Sequence, residues 1–131
     1  MCLASMIMND AVMPRLVSFK SATAETSVSK PAPDRLLDGD PQQTARNYFS
    51  DSTSQFFAGV WESTPGRWRV RYTENEFCHI TSGEVRIESQ SGEAWVFRAG
   101  DSFVIPSGFA GTWHVTQSLQ KLYVIFEAAS N

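Results

Sequence analysis

From Tyr48 onward, apolar residues come in short runs that alternate with polar positions and are separated by turn residues. The runs are QFFAGVWES, GRWRVRYT, EFCHIT, GEVRIES, EAWVFRAG, DSFVIP, GTWHVTQ and LQKLYVIFEA, broken at Thr64-Pro65-Gly66, Ser82-Gly83, Ser91-Gly92, Gly100-Asp101 and Pro106-Ser107-Gly108. Period-two alternation, enrichment in Val, Ile, Phe and Trp and the lack of an amphipathic helical stretch predict short antiparallel strands closing into a sandwich or barrel. The alternation also assigns faces, because side chains at i and i+2 lie on one side of a strand. In RWRVRY, Trp68, Val70 and Tyr72 share one face and Arg67, Arg69 and Arg71 the other. Three unpaired arginines do not enter an apolar interior, so the Trp-Val-Tyr face points inward.

Before Tyr48 the pattern fades. Residues 1–47 are rich in Ala, Ser, Thr, Asp and Pro, and KPAPDRLLDGDPQQ sets three prolines among charges. This predicts an irregular, partly disordered arm at 1–47, followed by a domain at 48–131. MPRLVSFK, from Met13, has the apolar anchors for an edge strand, and Met13 is an alternative start of the chain.

A chain of 131 residues is the length of one domain and long enough to bury its own core. Its 14 acidic and 11 basic residues are scattered, without the clustered Lys/Arg that nucleic acid requires. Two cysteines, Cys2 and Cys78, make no disulfide framework and fit a reducing compartment. MCLASMIMNDAVM lacks a basic n-region and no stretch is long enough to span a bilayer, so a cytoplasmic protein with no membrane partner is expected.

GRWRVRYTENEFCHITSG followed by GDSFVIPSGFAGTWHV resembles the two motifs of the cupin superfamily, which implies a jelly-roll (double-stranded β-helix) barrel over about Phe56 to Glu127. Gly83, Gly100, Pro106 and Gly108 stand at the scaffold positions of those motifs, and Glu76 at the motif glutamate. The metal-binding positions differ. Val70 and Tyr72 stand at the His-x-His pair and Gly111 at the second-motif His, so of four ligands only Glu76 remains. Valine and glycine side chains have no lone pair to give a metal. By alternation His79 and His114 point outward, away from the barrel. The likeness extends to the small cupins grouped with (S)-ureidoglycine aminohydrolase, a manganese enzyme, through the Trp after the Pro-x-Gly turn and the Lys-x-Tyr strand near the end.

The alternation leaves an inferred pocket of Tyr72, Glu76, Cys78 and Trp113, with Trp68 and Tyr123 as walls. Desolvation makes Glu76 a candidate acid/base, Tyr72 a hydrogen-bonding group for a substrate oxygen and Trp113 a stacking surface. Equally, Glu76 is read as a buried carboxyl satisfied by Tyr72 or by backbone amides. Cys78, with no evident cation beside it, reads as a small hydrophobe, and the arginine row as a solvated or inter-subunit face paired with Glu84 or Glu88. Phe56 with Phe57, and Leu122 with Val124 and Phe126, leave apolar surface that a homodimer would bury. Three readings stand: a metal-free cupin that binds a small polar metabolite; an enzyme using Glu76, with manganese or another divalent metal weakly held; and a structural or accessory barrel.

Overall fold

The computed structural model describes residues 13–130, so the run from Met1 to Val12 and Cys2 within it lie outside the described residues. The chain folds as β1 (Glu25–Ser29), β2 (Leu36–Gly39), β3 (Gln43–Ser50), β4 (Phe56–Ser63), β5 (Gly66–Arg71), β6 (Asn75–Ser89), β7 (Ala94–Arg98), β8 (Ser102–Ile105) and β9 (Ala110–Phe126). The described residues contain no helix long and apolar enough to cross a membrane. All strand pairs are antiparallel, and the protein is an all-β jelly roll.

The long strands β6 and β9 build the barrel. They pair along their whole length, but the register shifts between Ile80 and Val85, and there both change neighbours. On one side of that break β9 pairs with β4 and β6 with β8, which with β3 and β1 makes one layer. On the other, β9 pairs with β5 and β6 with β7, which with β2 makes the facing layer. The two runs on either side of Ser82-Gly83, expected as separate strands, are therefore one bulged strand, as are the two runs of β9. Gly83 permits the bend: its φ is +87°, and a Cβ there would stand 2.0 Å from the Ser118 carbonyl oxygen of the adjacent strand.

Between the layers lies a core of Trp68, Ile80, Val85, Ile87, Ile105, Trp113, Val115 and Leu119. The face assignment on β5 holds, with Trp68 buried and Arg67, Arg69 and Arg71 exposed. The N-terminal segment is more regular than its prolines suggest. Met13–Lys20 forms no strand; the edge strand is β1, and β3 runs through the compositional boundary at residue 47. Pro31, Pro33 and Pro41 fall between these strands rather than in them, so no ladder hydrogen bond is lost.

Candidate functional site

An open-mouthed cavity of about 620 Å³ lies between the layers, within the size range of small-molecule sites. One wall is aromatic: Trp61 from β4, Trp68 from β5 and Trp113 from β9 stand with ring centroids 5.7 to 6.3 Å apart. Other walls carry Gln43, Asn47, Tyr72 and Tyr123. The Tyr123 hydroxyl donates to Asn47 Oδ1 at 2.8 Å, and glycine at position 59 makes room for it, since a Cβ there would sit 2.6 Å from that hydroxyl.

The charged element is a buried ion pair. Lys121 Nζ donates to Glu76 Oε2 at 2.8 Å, with side chains only 5% and 6% exposed. The register explains the meeting: Glu76 pairs with Ile125 and Ile80 with Lys121 across the β6–β9 ladder, so residues 76, 78, 121 and 123 face inward together. The ammonium also lies 3.5 Å from Cys78 Sγ, 4.4 Å from the Trp113 ring centre and 4.8 Å from that of Trp61. A desolvated cation over an indole face gains about 2 kcal/mol or more. Burial is the largest single influence and would lower the lysine's proton affinity, but Glu76 and Cys78 together more than offset it and hold Lys121 above the ordinary lysine range, charged at neutral pH.

The same environment acts on the neighbours. Burial, with the Glu76 charge second, pushes the Tyr72 phenol well above its usual range, and Tyr123 is raised by burial and then by Glu76. Cys78 is pushed up to about 12 by burial, against the opposing pull of Lys121. It is a protonated thiol at neutral pH, poorly suited to attack. The buried indole nitrogen of Trp113 has no hydrogen-bond partner.

All six pocket residues expected from the sequence, Trp68, Tyr72, Glu76, Cys78, Trp113 and Tyr123, meet around this floor, with Cys78 buried beneath it. Lys121 is the residue that sequence reasoning missed. It adds to one expectation and corrects another: Glu76 is compensated by a lysine, with Tyr72 also interacting with its carboxylate, and Cys78 does have a cation beside it. The signal was present, since Lys121 stands two residues before the inward Tyr123. Glu84 and Glu88 pair with Arg98 and Arg86 instead of with the β5 arginines. His79 points outward to Ser102 Oγ at 2.8 Å, and His114 stands beside Arg67 and Arg86 in the outer face of the facing layer.

The residues present do not fit a divalent metal. Val70 and Gly111 pair across β5 and β9, where neither offers a donor. A Cβ at position 111 would lie 2.0 Å from the Glu88 carbonyl oxygen, so this backbone has no room for histidine there. Among the described residues no three His, Cys, Asp or Glu side chains come together as a ligand set. The space beside Glu76 is filled by an ammonium.

Residues 51–123 match the model of the EutQ-like cupin domain. A protein of unknown function from Pseudomonas syringae pv. tomato superposes with a TM-score of 0.72 at 25% identity, over 83% of this chain and 46% of that one. The chain thus spans under half the length of that protein. The EutQ protein of Clostridium difficile gives a TM-score of 0.61 at 18% identity, over 78% of this chain and 83% of its own. A putative ethanolamine utilization protein Q from Salmonella typhimurium gives 0.60 at 17%, over 82% and 100%. These last two likenesses concern the fold alone. No curated protein matches the sequence.

Proposed function

This chain belongs to the EutQ-like cupin domain family, and we propose that its barrel is a metal-free receptacle that binds a small polar metabolite. The observation that carries this reading is the buried Lys121–Glu76 pair set into the floor of an accessible, aromatic-walled cavity. Ion pairing leaves that floor close to electrically neutral without any metal. While Glu25, Arg35, Arg69, Arg71 and Glu74 add charges of both signs to the lining, the groups beside that floor that can recognise a ligand include the Gln43 carboxamide, the Tyr72 hydroxyl and the indole faces of Trp61 and Trp68. Such a set favours a planar or sugar-like molecule carrying amide or hydroxyl groups, stacked on indole and fixed by a few hydrogen bonds. We place this binding in the cytoplasm, in keeping with the free thiol of Cys78. The likeness to ureidoglycine aminohydrolase is carried to the scaffold and not to its manganese chemistry.

The test is thermal denaturation and calorimetry of the full chain against a panel of ureido compounds, amino acids, sugars and nucleobases. A ligand at a hundred times its Kd stabilises the fold by about 2.7 kcal/mol, readable as a rise in Tm. Tyr72→Phe and Gln43→Ala should weaken the same ligand with little change in the Tm of the free protein. A ligand whose effect ignores both variants binds elsewhere and removes the cavity from the proposal. Turnover of a panel member that is lost in Glu76→Gln would replace binding by catalysis, and a panel without any hit would favour a purely structural barrel.

A further inference from the structure

On the outer side of the β5 layer, away from the cavity, the ladders bring three basic residues into one row. Arg67 of β5 stands opposite His114 of β9, and His114 stands opposite Arg86 of β6. Residues opposed in this way share a face, with Cβ atoms about 4.5–5.5 Å apart. Their chain neighbours Trp68, Trp113 and Ile87 are buried in the core, so alternation holds the row outward. The next row sets Thr112 of β9 opposite Glu88 of β6. Arg67, Arg86, Glu88, Thr112 and His114 together line a cleft of about 240 Å³.

The charges of this cleft do not balance. A basic group in a sheet is favoured by a carboxylate across the ladder and disfavoured by another cation. Here Glu88 meets Arg86 at 3.1 Å, and Glu84 is taken by Arg98 at 2.8 Å. Asp38 stands opposite Arg67 on the β2–β5 ladder, yet Arg67 lines the cleft instead of closing on it. Among the described residues Arg67 joins no ion pair. In a chain of net charge −3, the cleft thus holds two guanidiniums and an imidazole against one carboxylate.

We propose that this cleft binds a tetrahedral oxyanion, either inorganic phosphate or the phosphoryl group of a small molecule. A planar guanidinium donates to two oxygens of such a group at once. Arg67 and Arg86 approach from strands on either side of β9, and the imidazole N–H of His114 and the hydroxyl of Thr112 lie between them. Donors arriving from several directions suit an anion with oxygens on every side. A carboxylate has its two oxygens in one plane and satisfies fewer of them. Glu88 keeps its bond to Arg86 at one margin, so the anion sits toward Arg67 and supplies the countercharge that this arginine lacks. The site is separate from the cavity, since the same strands turn Trp68 and Trp113 to the opposite face.

The experiment follows the imidazole NMR signals of the full chain during titration with sodium phosphate at constant pH and ionic strength. The chain has two histidines, so a His79→Gln protein identifies the signals of His114. His114 should shift saturably with a Kd on the order of 1 mM, while His79 stays in place. Arg67→Gln and Arg86→Gln, both at exposed positions, should each weaken binding about tenfold with a parental Tm, the worth of one charge-assisted hydrogen bond. Tyr72→Phe, inside the cavity, should leave the titration unaltered. Acetate should bind about tenfold more weakly than phosphate. Tighter binding of methyl phosphate than of phosphate assigns the cleft to a phosphate monoester, and the reverse order assigns it to the free ion. A shift that does not saturate, acetate binding as tightly as phosphate, or a response kept in both arginine variants or lost in Tyr72→Phe overturns the proposal.

Discussion

Replacing Glu76 by glutamine removes the countercharge of Lys121 while keeping size and an oxygen acceptor. Both side chains are at most 6% exposed, so water does not take over the role of the lost carboxylate. The ammonium is left with a neutral amide, the protonated Cys78 thiol and two indole faces. Breaking a buried pair from one side costs about 3–5 kcal/mol. With an unfolding entropy of about 2.1 cal/mol/K per residue, a chain of 131 residues loses roughly 4 °C of Tm per kcal/mol, giving a drop of about 10–20 °C. The alkaline pH profile adds a second signature. In the parent, burial is overcome by Glu76 together with Cys78 and Lys121 is raised, so the pair's stabilisation is whole below the unfolded lysine value of about 10.4 and is lost as pH rises through the folded one. In Glu76→Gln, burial, the largest influence on Lys121, loses its main opponent, the folded lysine binds its proton less tightly than the unfolded one, and the deficit shrinks as pH rises toward about 10.4. The two proteins should thus converge in Tm between neutral and alkaline pH. Adding Lys121→Met should restore most of the loss, as a double-mutant cycle would register. A Glu76→Gln protein within about 1 kcal/mol of the parent, with a parallel pH profile, would refute the reasoning.

In a Cys2→Ser background, Cys78, with its thiol pushed up to about 12 by burial, should resist a thiol reagent at neutral pH and react at once in denaturant. Rapid labelling of the folded chain would mean that the floor opens readily. Gly111→Ala puts a Cβ 2.0 Å from the Glu88 carbonyl oxygen and 3.0 Å from the Ser89 Cα, atoms held by the β6–β9 ladder. A loss of about 1–3 kcal/mol at unchanged m-value is expected in urea, and parental stability there would count against the glycine as a requirement of close strand approach.

Most of the barrel was legible because strand signals are local. The alternation in RWRVRY and EFCHIT assigns the faces of β5 and β6, and the structure keeps them. The breaks were less legible: Ser82-Gly83 is a turn signal, but here the left-handed glycine bulges a continuous strand whose partner is equally long. The strands of the arm carry few apolar residues; β1 is exposed along its whole length and is held by its ladder to β3. That information resides in the partner strand, not in ETSVS itself. Lys121 was passed over for a related reason. A lone lysine inside an apolar strand argues for exposure unless a partner is known, and its partner is 45 residues away, brought close only by the register.

The floor raises a sharper question, whether Lys121 stands in a place suited to organic cations or covers a metal site. The surroundings favour the first. A transition metal needs several lone pairs, whereas an ammonium needs one countercharge, acceptors for its protons and tolerance of aromatic faces. Glu76, Cys78, Trp61 and Trp113 provide the second set and not the first. Lys121→Ala would empty the channel while keeping its Cβ, and n-propylamine has the atoms that were removed. At ten times its Kd the amine should recover about 1.4 kcal/mol, roughly 5 °C of the lost Tm, by mass action. Manganese and zinc should recover none of it, because removing the lysine still leaves Val70 and Gly111 without donors. Rescue by a divalent ion in place of the amine would show that the lysine masks a metal site, and the metal-free reading of this barrel would fall with it.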